Sequence, residues 1–540
     1  MASVTARTSY DEVPYPSYPM PQTCPDHLAT VATLLGLSPP PSDRCRVLEL
    51  GCASGGNLIP LALSLPESTF IGVDLSHEQI VDGQRVVDAL GLQNIELRPL
   101  SILDVDESFG SFDYIICHGV YSWVPPEVQQ KILGVCARQL VPDGVGYVSY
   151  NVHPGWHLRG MVRAMMRYHV GRFPADSPES RIRRARDLLG FLVRAAPGQD
   201  RSYTLLLREQ LELLQKHSDA YLFHEHLEEH NEPVWYLEFC ERLATHGLRY
   251  LAEAEFGTMV AGTALAPDLQ KELDALAPNL LEKEQYMDFV RNRTFRQTLV
   301  CHGRLRPCYD VRADRLASFH VASPVRPGSP SPDLASDAPV EFAAPHGLSL
   351  TTSAPIVKAA LMGLGEVWPQ AVAFTSLVRR ARARLRSSEV NEDEPDREDS
   401  LALGRALLTA YASSNSTLVE LSLRPPRFAT QVSQRPVAGP LVRLQAETAR
   451  PVTNLRHEVV NLTPFDRHLL PLLDGTRNRA ALLEALLERH ERGQLHICQE
   501  DDQPITDPSR AREILAEVLD QQLPKLAKAA LLVHEPQPVG

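Results

Sequence analysis

Glu49, Gly51, Gly55 and Asp74 are the residues whose types and spacing define a chemistry in this chain. The first three lie in Val47–Leu65, VLELGCASGGNLIPLALSL, where an aliphatic strand carrying an acid runs into a small-residue turn and then an apolar helix. Such a turn offers free backbone amides to a nucleotide-like ligand. Gly51 allows the sharp turn, Gly55 and Gly56 let a ligand lie against bare backbone, and Leu58, Leu61, Ala62 and Leu65 recur at helical spacing. Cys52, Ala53 and Asn57 complete the loop. A dinucleotide fold requires GxGxxG, whereas this loop has Ala53 where glycine would approach a pyrophosphate. Asp74, followed by Leu75, ends a second apolar run 25 residues after Glu49, near the ~20-residue offset at which a carboxylate takes ribose hydroxyls.

The elements that position these residues follow in order. Ile95–Ser101 and Phe112–His118 are short apolar runs, as expected of parallel strands covered on both faces. A helix from about Pro126 to Leu140, a Val-Pro-Asp-Gly turn ending at Gly144 and a strand Val145–Asn151 come next. This alternation predicts a doubly wound α/β sheet, whose ligands bind at the carboxyl ends of the strands. Leu100, Ser101, Ile102 and Asp104 follow the third strand, His118, Tyr121 and Trp123 the fourth, and Asn151 and His153 end the fifth.

Beyond residue 154 helical periodicity takes over. Amphipathic stretches run over Trp156–His169, 179–195, 203–217, 234–246 and 283–299, and predict a helical middle domain over 155–322. Residues 323–344, rich in Pro, Ser and Ala, read as a linker. Helices over 356–364, 374–385 and 401–411 and a strand pair over 417–428 predict a winged-helix-like domain at 345–450, with a smaller one at 451–540. The basic run Arg379–Arg386 reads as a solvated helix face.

Composition narrows the partners. A net charge of −13 argues against a nucleic-acid surface. No N-terminal basic-then-apolar pattern and no uninterrupted apolar span appear, so a cytoplasmic protein without membrane attachment is expected. Nine cysteines without CxxC spacing read as reduced thiols. His224, His226 and His230 among Glu225, Glu228, Glu229 and Glu232 lack HExxH order, so no metal is expected; the acidic stretch is instead a candidate for drawing in a cationic substrate.

The Glu49–Asn57 loop resembles motif I of the class I S-adenosylmethionine (SAM) methyltransferases, E/D-x-G-x-G-x-G, with Ala53 in the middle slot. Tyr10-Asp-Glu-Val-Pro-Tyr-Pro16, Cys117–Pro125, Tyr150–Trp156, Phe223-His-Glu-His-Leu227, Glu284–Arg296 and Leu473–Arg477 extend the likeness along nearly the whole chain. Together they resemble bacterial class I methyltransferases with a methyltransferase regulatory domain, among them the rickettsial protein lysine methyltransferases. The resemblance implies a Rossmann-like sheet, a helical middle domain and a C-terminal winged-helix region, with SAM as cofactor. It implies that Glu49, Gly51, Cys52, Ala53, Gly55 and Asn57 meet the methionine end, Asp74 and Leu75 the ribose side, and Ser101 and Ile102 the adenine. His118 would touch the cofactor or the acceptor, and Tyr121, Trp123 and Asn151 would build the acceptor side. Protein lysine is one acceptor class; a small molecule or peptide natural product, or a SAM-binding regulator without turnover, are the others. A homodimer is compatible with all three.

Overall fold

The computed structural model describes residues 9–196, 198, 201–259, 265–345, 347–385, 397–413, 418–448, 451–497, 505 and 507–534. The chain divides into two compact units, one ending at Tyr309 and the other beginning at Asp310, except that Tyr18–Thr30 and Leu63–Leu65 belong with the second. Among the described residues no helix is long and apolar enough to cross a membrane.

A seven-stranded sheet organises the first unit. Its strands are β1 (Arg46–Leu50), β2 (Thr69–Asp74), β3 (Ile95–Pro99), β4 (Phe112–Cys117), β5 (Leu140–Asn151), β6 (Leu248–Glu253) and β7 (Phe295–His302), in the order 3-2-1-4-5-7-6. β1 to β5 are parallel and β7 runs antiparallel to both β5 and β6. Helices α1 (Leu58–Ser64), α2 (His77–Leu90) and α3 (Pro126–Gln139) make the crossovers, so both sheet faces are covered and Leu48, Leu50, Ile115 and Cys117 are wholly buried. The Pro-Asp-Gly turn expected before β5 lies within its span. While β5 advances from Leu140 to Val145, its partner advances only from Phe112 to Tyr114.

Between β5 and β6 the helices α4 (Gly155–Val170), α5 (Pro178–Ala195), α6 (Ser202–Lys216) and α7 (Tyr236–Thr245) form, close to the predicted stretches. The helix predicted over 283–299 is corrected. It occupies Leu280–Arg291 (α8), ends at Asn292 with φ +47°, and gives way to β7. Asn tolerates the left-handed conformation that stops a helix, and Thr294 to Val300 then pair along β5. The expected all-helical stretch therefore supplies two strands to the sheet.

Those two strands depend on a buried arginine. Arg296 is fully buried; its Nε and Nη2 hold both oxygens of Asp288 at 2.9 and 2.8 Å, Nη1 donates to Glu253 at 2.7 Å, and Nη2 also reaches Glu284 at 3.2 Å. Its guanidinium lies 3.9 Å from the Tyr236 ring centroid. One cation thus ties β6, β7, α7 and α8.

In the second unit, residues 323–344 are not a bare linker. They contribute β9 (Arg326–Pro327) and β10 (Val340–Ala343) to a three-stranded sheet with β11 (Ser349–Thr352). Val325 and Phe342 are buried, and the buried Lys358 Nζ donates to the carbonyls of Asp333 and Ser336 at 3.2 and 2.6 Å. The predicted hairpin over 417–428 is also corrected. β13 (Glu420–Ser422) pairs with β8 (His320–Ala322), which pairs on its other side with β12 (Val372–Ala373), and Thr417 lies outside the described residues. Helices α9 (Pro355–Val367), α10 (Phe374–Leu385) and α11 (Arg397–Ser413) accompany this small sheet. Arg379 and Arg380 are exposed on α10 and Arg384 pairs with Glu366 at 2.5 Å, while Arg386 lies outside the described residues. The C-terminal core packs α12 (Pro440–Ala446), α13 (Arg479–Glu491) and α14 (Pro508–Lys528) around Leu473, Leu482 and Leu519.

Replacing Arg296 by Met leaves Glu253, Glu284 and Asp288 buried with only Arg293, 3.2 Å from Glu253 and 3.9 Å from Asp288, to offset them, so Arg296→Met is expected to cost about 3–5 kcal/mol of stability. Denaturant unfolding followed by circular dichroism measures this.

Candidate functional site

The turn after β1 is held open by conformations few residues adopt. Gly51 has φ +79°, Ala53 +49° and Gly55 +72°, and the N–H groups of Gly51 and Cys52 both donate to the Val73 carbonyl, at 2.8 and 3.1 Å. A Cβ on Gly51 would stand 2.4 Å from Val120 Cγ2, so glycine lets the post-β4 loop lie against the turn. Cys52 is buried with Sγ packed over Gly72, and its thiol pKa is pushed far up by burial.

Glu49 and Asp74 face this turn. Glu49 is buried, with Oε1 accepting from Asn57 Nδ2 at 2.9 Å and Oε2 without a hydrogen-bond partner among the described residues. Burial pushes its pKa up to about 8; the Asn57 bond lowers it and Asp74 raises it. Asp74 accepts from Ala53 N at 2.8 Å and Ser76 N at 2.9 Å, yet burial, aided by Asp11, still raises its pKa. A crevice containing two carboxylates held above their usual range, one with an orphaned oxygen, fits a ligand that brings positive charge and hydroxyl donors. SAM carries a sulfonium, an ammonium and a ribose, and the donor set suits it. Leu75 is half exposed and Ile102 half-buried, so both offer apolar surface at the mouth. Ser101 Oγ accepts from Leu103 N at 3.2 Å, capping a short turn, and Asp104 is exposed.

The expected acceptor side divides. Trp123 is half-buried, with its ring 5.8 Å from Trp156, edge to face, and 6.0 Å from the Arg163 guanidinium. Tyr121 is fully buried, edge-on to Phe239 at 5.4 Å, and its hydroxyl accepts from Arg242 at 3.2 Å. Tyr121, expected on the acceptor side, has its side chain packed under α7. Asn151 is buried, its amide donating to Asn231 at 3.0 Å. His118 Nδ1 meets the Tyr147 hydroxyl at 2.8 Å, and burial pushes its pKa down to about 4, so the ring is neutral. His153 stacks on His157 at 4.0 Å beside Trp235. His224 spends both ring nitrogens within the protein, on Glu228 at 2.8 Å and on the Val13 carbonyl at 2.6 Å. Sequence reasoning missed Asp11, Ser17 and Ser76, which also border the crevice; the Tyr10–Pro16 motif was the available signal.

Comparison with known proteins agrees with this geometry. Residues 48–145 match a methyltransferase domain, 218–302 a predicted methyltransferase regulatory domain, and 434–531 the PKMT C-terminal winged helix domain. PKMT2 from Rickettsia typhi in complex with AdoHcy is similar with a TM-score of 0.85 at 31% identity, over 96% of this chain and 100% of its own. A second PKMT2 structure gives 0.83 over the same shares. The uncharacterized protein RP789 of Rickettsia prowazekii is 36% identical over 538 residues, 98% of this chain and 95% of its own. Fold, crevice and comparisons define a class I SAM-dependent methyltransferase. More narrowly, the chain belongs to the bacterial family whose members join a methyltransferase domain to a methyltransferase regulatory domain and a PKMT-type winged helix.

A cation beside Glu49 favours its carboxylate, so SAM binding at about pH 7 is expected to release a proton, approaching one per site. Calorimetry in buffers of different ionisation enthalpy reads the release, and Glu49→Gln should abolish it.

Proposed function

We propose that this enzyme N-methylates lysine side chains of proteins. The observation that carries the reading is the likeness to PKMT2 over 96% of the chain, which takes in the regions beyond the sheet and not the SAM crevice alone. A small-molecule methyltransferase needs a sheet and a lid, whereas here more than half of the chain lies outside the methyltransferase match at 48–145.

When bound, SAM supplies an electrophilic methyl on its sulfonium. Glu49, oriented by Asn57, would hold the methionine ammonium, and the turn through Gly51, Cys52, Ala53 and Gly55 would give it room. Asp74 would take the ribose hydroxyls, and Leu75, Ser101 and Ile102 would border the adenine. Trp123 offers an aromatic face to the acceptor amine. His118, neutral and tied to Tyr147, is too weak a base to take a proton from lysine and serves to position. Asn151 fixes the end of β5 through Asn231, and Tyr121 supports the loop from below. The lysine ammonium loses its proton to water on desolvation, because burial depresses its pKa.

Asp74→Ala is expected to weaken SAM binding by about 1.5–3 kcal/mol, the worth of hydrogen bonds to a charged group, in a folded variant measured by calorimetry. For the acceptor, a proteome incubated with enzyme and labelled SAM should yield methyl-lysine peptides by mass spectrometry. Label confined to metabolites or small peptides would replace the protein-lysine reading with the small-molecule one. SAM binding without any turnover would leave a regulator.

A further inference from the structure

Two motifs singled out in the sequence, Tyr10–Pro16 and Phe223–Leu227, meet in the structure, at the edge of the SAM crevice. The N-terminal stretch begins as one helical turn, Ser9–Glu12, and continues without regular structure, with Pro14 and Pro16 limiting its freedom. It is fastened at three places. Asp11 Oδ1 accepts from Ser76 Oγ at 2.5 Å, and the same Ser76 donates its N–H to Asp74 and caps α2 through Gln79 N. Ser17 Oγ accepts from Gly56 N at 2.8 Å, where a Cβ on Gly56 would come within 2.4 Å of the Ser17 carbonyl. The Val13 carbonyl meets His224 Nε2 at 2.6 Å, and the Val13 side chain packs against the α4–α6 core.

Tyr10 forms the centre of this arrangement. Its ring stacks on His224 at 4.4 Å with the planes 8° apart, and Tyr15 meets the same imidazole edge-on at 5.5 Å. His224 is held at both nitrogens, by the Val13 carbonyl and the Glu228 carboxylate, so its ring plane is fixed against the Tyr10 face. Burial first, and then the nearby Glu228, Asp74 and Glu225, push the Tyr10 hydroxyl pKa up, so the hydroxyl stays protonated beside these carboxylates. Asp74 itself senses Asp11.

We propose that residues 9–17 are an integral wall of the SAM site, with Tyr10 as the positioning residue that locks this wall onto His224. The wall lies outside the 48–145 methyltransferase match, while its clamp, His224 and Glu228, lies inside the 218–302 regulatory match. The regulatory region therefore acts on the cofactor: it fixes the segment that closes the ribose side. This holds whichever acceptor is methylated.

Full-length Tyr10→Ala should bind SAM and S-adenosylhomocysteine about tenfold more weakly by calorimetry, because the wall must then be ordered at the expense of binding. Tyr10→Phe keeps the stack and should bind as the parent does. His224→Leu should reproduce Tyr10→Ala, and the double variant should bind no worse than either single one. Ser17→Ala, which removes the hydrogen bond from Gly56 N at the other end of the wall, should likewise speed SAM release. Unchanged affinity in folded Tyr10→Ala would overturn the proposal. So would additive losses in the double variant, or a fall in melting temperature with affinity intact. A failed search for methylated proteins would leave these measurements untouched, so the two readings fail separately.

Discussion

A buried guanidinium holds the antiparallel edge of the sheet. Three carboxylates, Glu253 of β6 and Glu284 and Asp288 of α8, converge at fully buried positions around Arg296, with Arg293 also beside Glu253 and Asp288. Burial alone would raise Glu253, but Arg296 and Arg293 together hold it below the usual carboxylate range. The charge cluster is what lets β7 lie antiparallel beside β5 and carry Phe295 to within 6.2 Å of the His118 ring. The regulatory stretch is in this way continuous with the catalytic sheet, and its last strand borders the acceptor side.

The parallel half of the sheet was legible because its strands are short, apolar and bounded by turn residues, and because Glu49 and Asp74 mark strand ends. The antiparallel half was not. Tyr286, Met287, Phe289 and Val290 keep helical spacing up to Arg291, and nothing in hydropathy separates Arg296, buried and satisfied, from an exposed arginine. Lys358 posed the same problem, since a lysine satisfied by backbone carbonyls inside a Pro- and Ser-rich stretch has no hydrophobic signature. At the site, the turn residues after β1 and β2 are assigned from their types and spacing alone, whereas the direction of Tyr121 depends on Phe239 and Arg242, over a hundred residues away. The β8–β12–β13 pairing is invisible for a similar reason, since strands of two or three residues carry no period.

The crevice and its surroundings follow opposite electrostatic rules. Around Arg296 the carboxylates are paired with arginines, whereas among the described residues Glu49 and Asp74 are buried with hydrogen bonds but no cation, and burial holds both above their normal range. A site of this kind is pre-shaped by backbone donors and left electrostatically incomplete. A cationic ligand relieves the strain, and its loss as a neutral thioether removes part of that attraction, which favours product departure over retention.

The helical excursion between β5 and β6 leaves the sheet and returns beside its point of departure. His153 N donates to the Val234 carbonyl at 3.1 Å and Val234 N to the Asn151 carbonyl at 3.1 Å, pinning the two ends together before α4 begins and after α6 and the 223–227 turn have finished. A loop closed at its neck pays its closure entropy there, and doubling its length adds only about 0.6 kcal/mol. Length can therefore vary within α4 to α6 at little entropic cost, provided that the 223–227 turn, whose His224 holds Tyr10, keeps its place beside the crevice.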